Sequence, residues 1–276
     1  MIQNTAISSF PQDVVCLSHL RWGFVYQRPQ HLLSRFARNH RVFFVEEPVP
    51  AGDGTPRMSH NVCPDTGVNI IVPQIPDGLS AATRETIQKL LLNNFLSVHE
   101  VGPYVLWYYT PMAQAFAGHL KPAITVFDCM DELSAFRGAP QEMKDREAEL
   151  LRRADLVFTG GQSLYEAKVG RHQDLHAFPS SIDYSHFAQA RTLMHGPDDQ
   201  ASIPHPRVGF AGVIDERMDA DLLRRVAELR PNVHFVMIGP VVKIDPASLP
   251  QLPNVHYLGG KSYKELPSYI AGWMRR

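Results

Sequence analysis

Short apolar runs, each closed by a polar turn and followed by a stretch with helical spacing, recur along almost the whole of this 276-residue chain. VVCLS (14–18), RVFFVEEP (41–48), YVLWYY (104–109), AITVFD (123–128) and DLVFTGG (155–161) are apolar without alternation. A strand apolar on both faces must be covered on both faces, as in a parallel sheet. NIIVPQIP (69–76) reads as extended, and LHAFPSS (175–181) as a last strand. Between these runs the spacing turns helical. RPQHLLSRFARNH (28–40) opens at Pro29 and puts Leu32, Leu33 and Phe36 on one face. The segment 81–98 carries Ile87, Leu90, Leu91 and Phe95, and further helices are expected around 111–119, over 141–154 and over 163–171. The alternation predicts a doubly wound α/β domain, with ligands at the carboxyl ends of the strands where the strand order reverses.

After Phe187 the text changes. AQARTLMHGPDDQASIPHP (188–206) is rich in Pro, Asp and His and reads as a linker. The α/β pattern then resumes, with strands at 208–213, 233–239 and 254–259 and helices at 219–229 and 263–273. The expected fold is therefore two Rossmann-like doubly wound domains. The first covers 1–187, and the second, incomplete by the size such sheets usually reach, covers 207–276.

Charge excludes one class of partner. With 27 basic and 28 acidic residues the formal net charge is -1, so no basic field for nucleic acid is expected. The 13 histidines are scattered, with no HExxH, CxxC or paired Cys/His spacing, and no metal site is expected. Cys16, Cys63 and Cys129 form no regular framework, which fits a reducing compartment, and Cys16 and Cys129 sit in apolar runs that would bury them. MIQNTAISSFPQD lacks the basic and apolar regions of a signal peptide, and no apolar run approaches the ~20 residues that span a bilayer. The expectation is a cytoplasmic protein, with peripheral membrane contact left open.

Four stretches carry candidate chemistry. In SHLRWGFVYQRPQHLL, Gly23 follows a strand, and the helix start near Pro29–His31 offers unpaired N–H groups to an anion. Arg21 and Arg28 add charge, Trp22 and Tyr26 offer flat faces for a sugar, and Gln30 and His31 add polar contacts. An ordinary loop whose aromatics fill a gap is the alternative; so many such residues in one loop favour binding. There is no GxGxxG, which disfavours a nicotinamide dinucleotide. In VFDCMDELSAF (126–136), Asp128 and Asp131 close a strand and could take a proton from an incoming hydroxyl. Helix capping by Asp131 or Ser134 explains the stretch equally well, and Glu132 reads as solvated. In LVFTGGQSLYEAK, Gly160, Gly161 and an N-cap at Ser163 follow from turn geometry more readily than from ligand contact. Finally, GFAGVIDER and FVMIGPVVK place Gly212 and Arg217 after one strand and Gly239 and Lys243 after the next. Neighbouring strand ends can aim both cations at one diphosphate; the alternative is a pair of ordinary surface cations.

Together with FPSSIDYSHF and NVHYLGGKSYKELPSYIAGW, these stretches make the chain resemble the GT-B glycosyltransferases. Within them it is most similar to the retaining group 1, family 4-like transferases, in the manner of bacterial teichuronic acid-type polysaccharide biosynthesis. The resemblance spans almost the whole chain and rests on the order and spacing of the motifs. It implies an N-terminal acceptor-side domain, a C-terminal domain for a nucleoside diphosphate sugar, and transfer in the cleft between them to a glycan or lipid-linked acceptor. The nucleotide sugar is then a substrate, and no cofactor is implied. Arg217 and Lys243 would take the family's donor-phosphate roles, although Lys243 lies further along than the usual lysine. Many relatives carry a histidine where this chain has Met130 and Asp131, so Asp131 or Asp128 is the candidate there. Relatives continue past the Gly-Trp pair into a glutamate-bearing segment, and the E-x7-E pattern has no counterpart here. The expectation is a fragment or a degenerate relative, with impaired activity. Two other readings stand beside it: a non-catalytic carbohydrate- or nucleotide-binding module, and an epimerase acting on a free nucleotide sugar.

Overall fold

The computed structural model describes residues 11–136, 138–193 and 196–273. The stretches 1–10 and 274–276, both read above, lie outside them. The chain separates into two compact units, 1–181 and 182–276.

The first unit runs β1 (Asp13–Leu17), α1 (Arg28–Phe36), β2 (Arg41–Val45), β3 (Val49–Pro50), β4 (Arg57–Val62), β5 (Asn69–Ile75), α2 (Ala81–Val98) and β6 (Tyr104–Tyr108). It continues through α3 (Gln114–Ala117), β7 (Ile124–Cys129), α4 (Glu142–Arg153), β8 (Leu156–Thr159), α5 (Gln162–Lys168) and β9 (Leu175–Ala177). Its sheet has the order β3-β5-β2-β1-β6-β7-β8-β9, parallel along this path, with β4 antiparallel on β5. The apolar runs form the central strands: every residue of β1 and β6 is buried. Alternate residues along each strand face opposite cores. Val15, Leu17, Leu106 and Phe127 pack with α2 and α4, while Val14, Cys16, Val105, Trp107 and Val126 pack on the side of α1. Chain order reverses between β1 and β6, because β1 leads to β2 on one side and β6 lies on the other. That is the switch point where open α/β sheets bind ligands.

Two details differ from the sequence reading. β4 is polar, RMSHNV, and is held by its ladder to β5 rather than by burial. In α2 the buried residues are Leu92, Phe95 and Leu96, while Leu90 is exposed.

The second unit runs α6 (Tyr184–Ala188), α7 (Asp198–Ala201), β10 (Arg207–Ala211), α8 (Ala220–Leu229), β11 (His234–Ile238), β12 (Val255–Gly259) and α9 (Leu266–Ala271). Its sheet is parallel in the order β10-β11-β12. Phe235, Met237 and Val255 pack with Ala227 of α8 on one face; Val236 and Ile238 pack with Ile203 and Tyr269 on the other. The expected linker 188–206 contributes to that second face. Ala190, Gln200 and Ile203 are buried. Gln200 donates to the Tyr269 carbonyl at 3.1 Å and accepts from the Trp273 indole at 2.9 Å, and Asp199 accepts from Lys261 and from the Tyr269 hydroxyl. A hydrogen-bonded seal of this kind is polar by necessity, which is why its composition resembles a linker. Among the described residues no helix is long and apolar enough to cross a membrane.

Candidate functional site

At the switch point of the first unit, the loop from β1 to α1 is held by its own polar side chains. Arg21 donates to the Glu46 carboxylate at 2.9 Å and to the Glu47 carbonyl at 2.6 Å. Glu46 also accepts from the Trp22 backbone N–H at 2.8 Å, and Gln30 donates to the Trp22 carbonyl at 2.8 Å. The Gln30 side chain accepts from the Gln27 N–H, which closes the start of α1. Trp22 itself is buried and meets Phe44 edge-on at 5.1 Å. This corrects the expectation of a sugar platform at Trp22 and of a ligand contact at Gln30, which is 1% exposed. Both fill and staple the loop, and a loop without periodicity does not show in sequence which way its aromatics turn. Tyr26 and His31 are half-buried and pack edge to face at 4.8 Å, and Gly23 is exposed with open space where a Cβ would stand. Arg21→Ala should lose about 1–2 kcal/mol of unfolding free energy in denaturant titration, since it removes hydrogen bonds to charged and backbone acceptors. A freely solvated arginine at this place would leave the midpoint unchanged.

Arg28 and Asp128 form the central pair. The Arg28 Nε donates to both Asp128 oxygens at 3.0 and 2.9 Å, Nη2 lies 2.9 Å from Oδ1, and Nη1 donates to the Phe178 carbonyl at 2.6 Å. Asp128 is wholly buried. Burial pushes its carboxyl above the ordinary range, and the Arg28 guanidinium pulls it back, aided by Tyr109 and Trp107. The crevice-facing carboxylate expected at Asp128 is thus an internal anchor, gripped by the side chain of Arg28 from the first turn of α1. Arg28 likewise spends its donors inside the unit. Asp131, three residues further along the chain, is half-buried.

The segment carrying Asp131 is tethered from behind. Glu132, expected to be solvated, accepts from Lys168 at 2.9 Å, and the same buried ammonium donates to buried Glu147 at 2.9 Å. No spacing in the sequence links these three residues, which stand on three different elements. Gly160 has a structural reason: an added Cβ would stand 2.8 Å from the Met130 carbonyl oxygen, so two strand ends approach backbone to backbone. Helix α5 takes Gly161 as its N-cap, and Ser163 lies within its first turn rather than capping it.

In the second unit the loops after β10 and β11 continue side by side. Gly212 N–H donates to the Ile238 carbonyl at 2.9 Å, Ile214 to Pro240 at 3.0 Å, and Val242 to Ile214 at 3.0 Å. This carries Asp215–Arg217 alongside Val241–Lys243. Asp215 is buried and accepts from the Arg217 Nε at 2.9 Å and Nη2 at 2.7 Å. Arg217 holds the Asp215 carboxyl below its ordinary range, and Lys243 lies near enough to lower it further. The two cations therefore share one carboxylate's surroundings, with Arg217 half-exposed at 54% of its side chain. Among the described residues no group of His, Cys, Asp and Glu is arranged to hold a metal ion.

No family model matches the sequence. Over 189 residues it is 24% identical to TuaH of Bacillus subtilis (strain 168), a protein assigned as a teichuronic acid biosynthesis glycosyltransferase. The match covers 60% of this chain and 45% of TuaH, so the chain spans about half the length of that relative. Among solved structures, sucrose-phosphate synthase from Thermosynechococcus elongatus superposes with a TM-score of 0.69 at 13% identity, over 95% of this chain and 74% of that one. Starch synthase IV from Arabidopsis thaliana, bound to ADP and acarbose, superposes with a TM-score of 0.58 at 11% identity, over 96% and 77%. An E. coli trehalose-6-phosphate protein bound with UDP-2-fluoro glucose gives 0.58 at 10%, over 94% and 76%. The chain therefore has the GT-B fold, and the proteins it resembles in sequence and in fold are glycosyltransferases.

Proposed function

We propose that the chain acts in sugar transfer, moving a sugar from a nucleoside diphosphate sugar to a glycan or lipid-linked acceptor of a cell-surface polysaccharide, with retention at the anomeric carbon. The observation that carries this reading is the meeting of Arg217 and Lys243 around Asp215 at neighbouring strand ends. In the reaction the bond from the anomeric carbon to the diphosphate breaks and a bond to the acceptor oxygen forms. The acceptor's proton leaves with the base or with the departing diphosphate, whose negative charge grows. Cations already in place stabilise that charge. In this reading the diphosphate competes with Asp215 for Arg217, and Gly212 and Gly239 keep the backbone low beneath it. Asp131, rather than the sequestered Asp128, is the carboxylate that an acceptor hydroxyl can reach. Likeness to proteins bound with ADP and with UDP-2-fluoro glucose supports the donor class. The setting that fits is cytoplasmic, at a membrane face where the acceptor is lipid-linked.

Titration with nucleoside diphosphates, followed by calorimetry and thermal shift, tests the reading. Arg217→Ala and Lys243→Ala should each weaken binding about 10- to 100-fold, the worth of a charge-assisted hydrogen bond. Wild-type affinity in both variants, or no stabilisation of the wild-type protein by any nucleoside diphosphate, would remove the donor assignment. Product analysis with donor alone separates transfer from epimerisation.

A further inference from the structure

The first unit holds a cavity of about 310 Å³ that is lined by Ser18 at the start of the β1–α1 loop but by none of the candidate binding residues Arg21, Trp22, Gly23, Tyr26, Arg28, Gln30 and His31. It opens at the carboxyl ends of β1, β2 and β6, beside the switch point, and the first half of α2 closes its side. Its size stands at the lower end of the roughly 300–1,000 Å³ of small-molecule sites, room for one or two sugar rings. Ser18 and Thr110, both buried, stand at the strand ends. Each hydroxyl oxygen accepts a backbone N–H, from Leu20 at 3.0 Å and from Met112 at 3.3 Å, which leaves its proton to donate. Arg84 and Gln88, one helical turn apart on α2, add donors and an amide acceptor. Met112 and Phe116 supply apolar surface for the C–H face of a ring.

The charges decide among ligands. Glu46, Glu47 and Glu85 line the cavity against a single guanidinium, that of Arg84. Glu46 is engaged by Arg21, and Glu85 by Arg146 at 3.1 Å, so the positive charges that balance them belong to ion pairs already made. A phosphate or a carboxylate entering here would meet fixed carboxylates, whereas hydroxyl groups would find acceptors and donors in alternation. We infer that this cavity seats an uncharged saccharide unit of the acceptor and rejects anionic sugars. The inference rests on the transferase reading for the word acceptor and on the cavity alone for the ligand class.

Saturation-transfer NMR on the full chain tests it, with methyl glucoside and N-acetylglucosamine as uncharged probes and glucuronate and glucose 6-phosphate as anionic ones. The uncharged probes should bind with a Kd on the order of millimolar, as small ligands of this size do, and the anionic ones at least about fivefold more weakly. Met112→Trp, which fills the cavity, should abolish the signal. Gln88→Leu, on a half-buried helix position where folding is not at stake, should weaken it about fivefold or more. Glu47→Gln should narrow the preference for uncharged over anionic probes about two- to fivefold, the worth of one partly exposed charge. Equal or tighter binding of the anionic probes, or binding that survives both Met112→Trp and Gln88→Leu, overturns the inference. Nucleoside diphosphate binding measured on the same samples keeps the two readings apart. Its presence without uncharged-sugar binding removes the saccharide site alone; its absence with sugar binding intact removes the transferase reading alone.

Discussion

Asp128→Ala is expected to lose about 3–5 kcal/mol of unfolding free energy in chemical denaturation, because it strands a buried guanidinium without its counter-charge. Asp128 is wholly buried, and Arg28 grips both of its oxygens. Arg28 in turn ties the start of α1 to β7 and to the Phe178 carbonyl, so the pair fastens three parts of the unit at one point. The double variant Asp128→Ala/Arg28→Met should recover much of the loss, since no orphan charge remains. Arg28→Met alone has a pH signature. Burial already raises the Asp128 carboxyl, and Arg28 is what lowers it. Without Arg28 its folded pKa rises further above the unfolded value, so the folded state holds the proton more readily. Stability from that proton is present at low pH and is lost as pH rises through the folded pKa. The deficit of Arg28→Met relative to the wild type should therefore grow as pH rises above the ordinary carboxylate range. A carboxylate acting only as a base would behave otherwise: Asp128→Ala would lose turnover at unchanged stability, and that result would break the anchor assignment.

What could be read in the sequence followed burial. Runs such as VVCLS and YVLWYY announce a strand covered on both faces, and they lie where that rule puts them. β4 could not be read this way, because RMSHNV has a ladder partner on β5 and little apolar surface. The loop residues Trp22 and Gln30 show the converse. Their types suit sugar binding, yet direction in a loop is set by distant partners: Glu46 for the Trp22 backbone, and the Trp22 carbonyl for Gln30. Long-range ion pairs are likewise silent in one dimension. Glu132 looks solvated until Lys168, 36 residues on, is seen to reach it. The glycine pair of the second unit was legible by place, since each ends an apolar run, but its reason was not. Gly239 is constrained first by Gly212, whatever else approaches it.

Gly239→Ala should lose about 3–5 kcal/mol, combining backbone strain with overpacking that has nowhere to relax. Gly239 has φ +148°, a conformation that side chains rarely adopt, and an added Cβ would stand 1.7 Å from the Gly212 carbonyl oxygen. That oxygen belongs to backbone held by the Gly212 N–H bond to Ile238, and Gly239 itself donates to the Gly259 carbonyl at 2.9 Å. Relief therefore requires β10, β11 and β12 to separate at the ends that carry Arg217 and Lys243. Gly212→Ala is the matched control. Its Cβ would meet the rim of the Phe210 ring at 3.1 Å, and that ring is exposed enough to turn aside. The control should stay within about 1–2 kcal/mol. With so small a sheet, the loss at Gly239 should unfold the second unit and leave the first intact. Hydrogen exchange is the direct measure: protection should collapse in Arg207–Ala211 and His234–Ile238 while Asp13–Leu17 and Tyr104–Tyr108 stay protected. Equal protection of β10 and β11 in Gly239→Ala and in the wild type would mean that the strand ends do not close as tightly as this geometry requires, and the shared setting of Arg217 and Lys243 would lose its support.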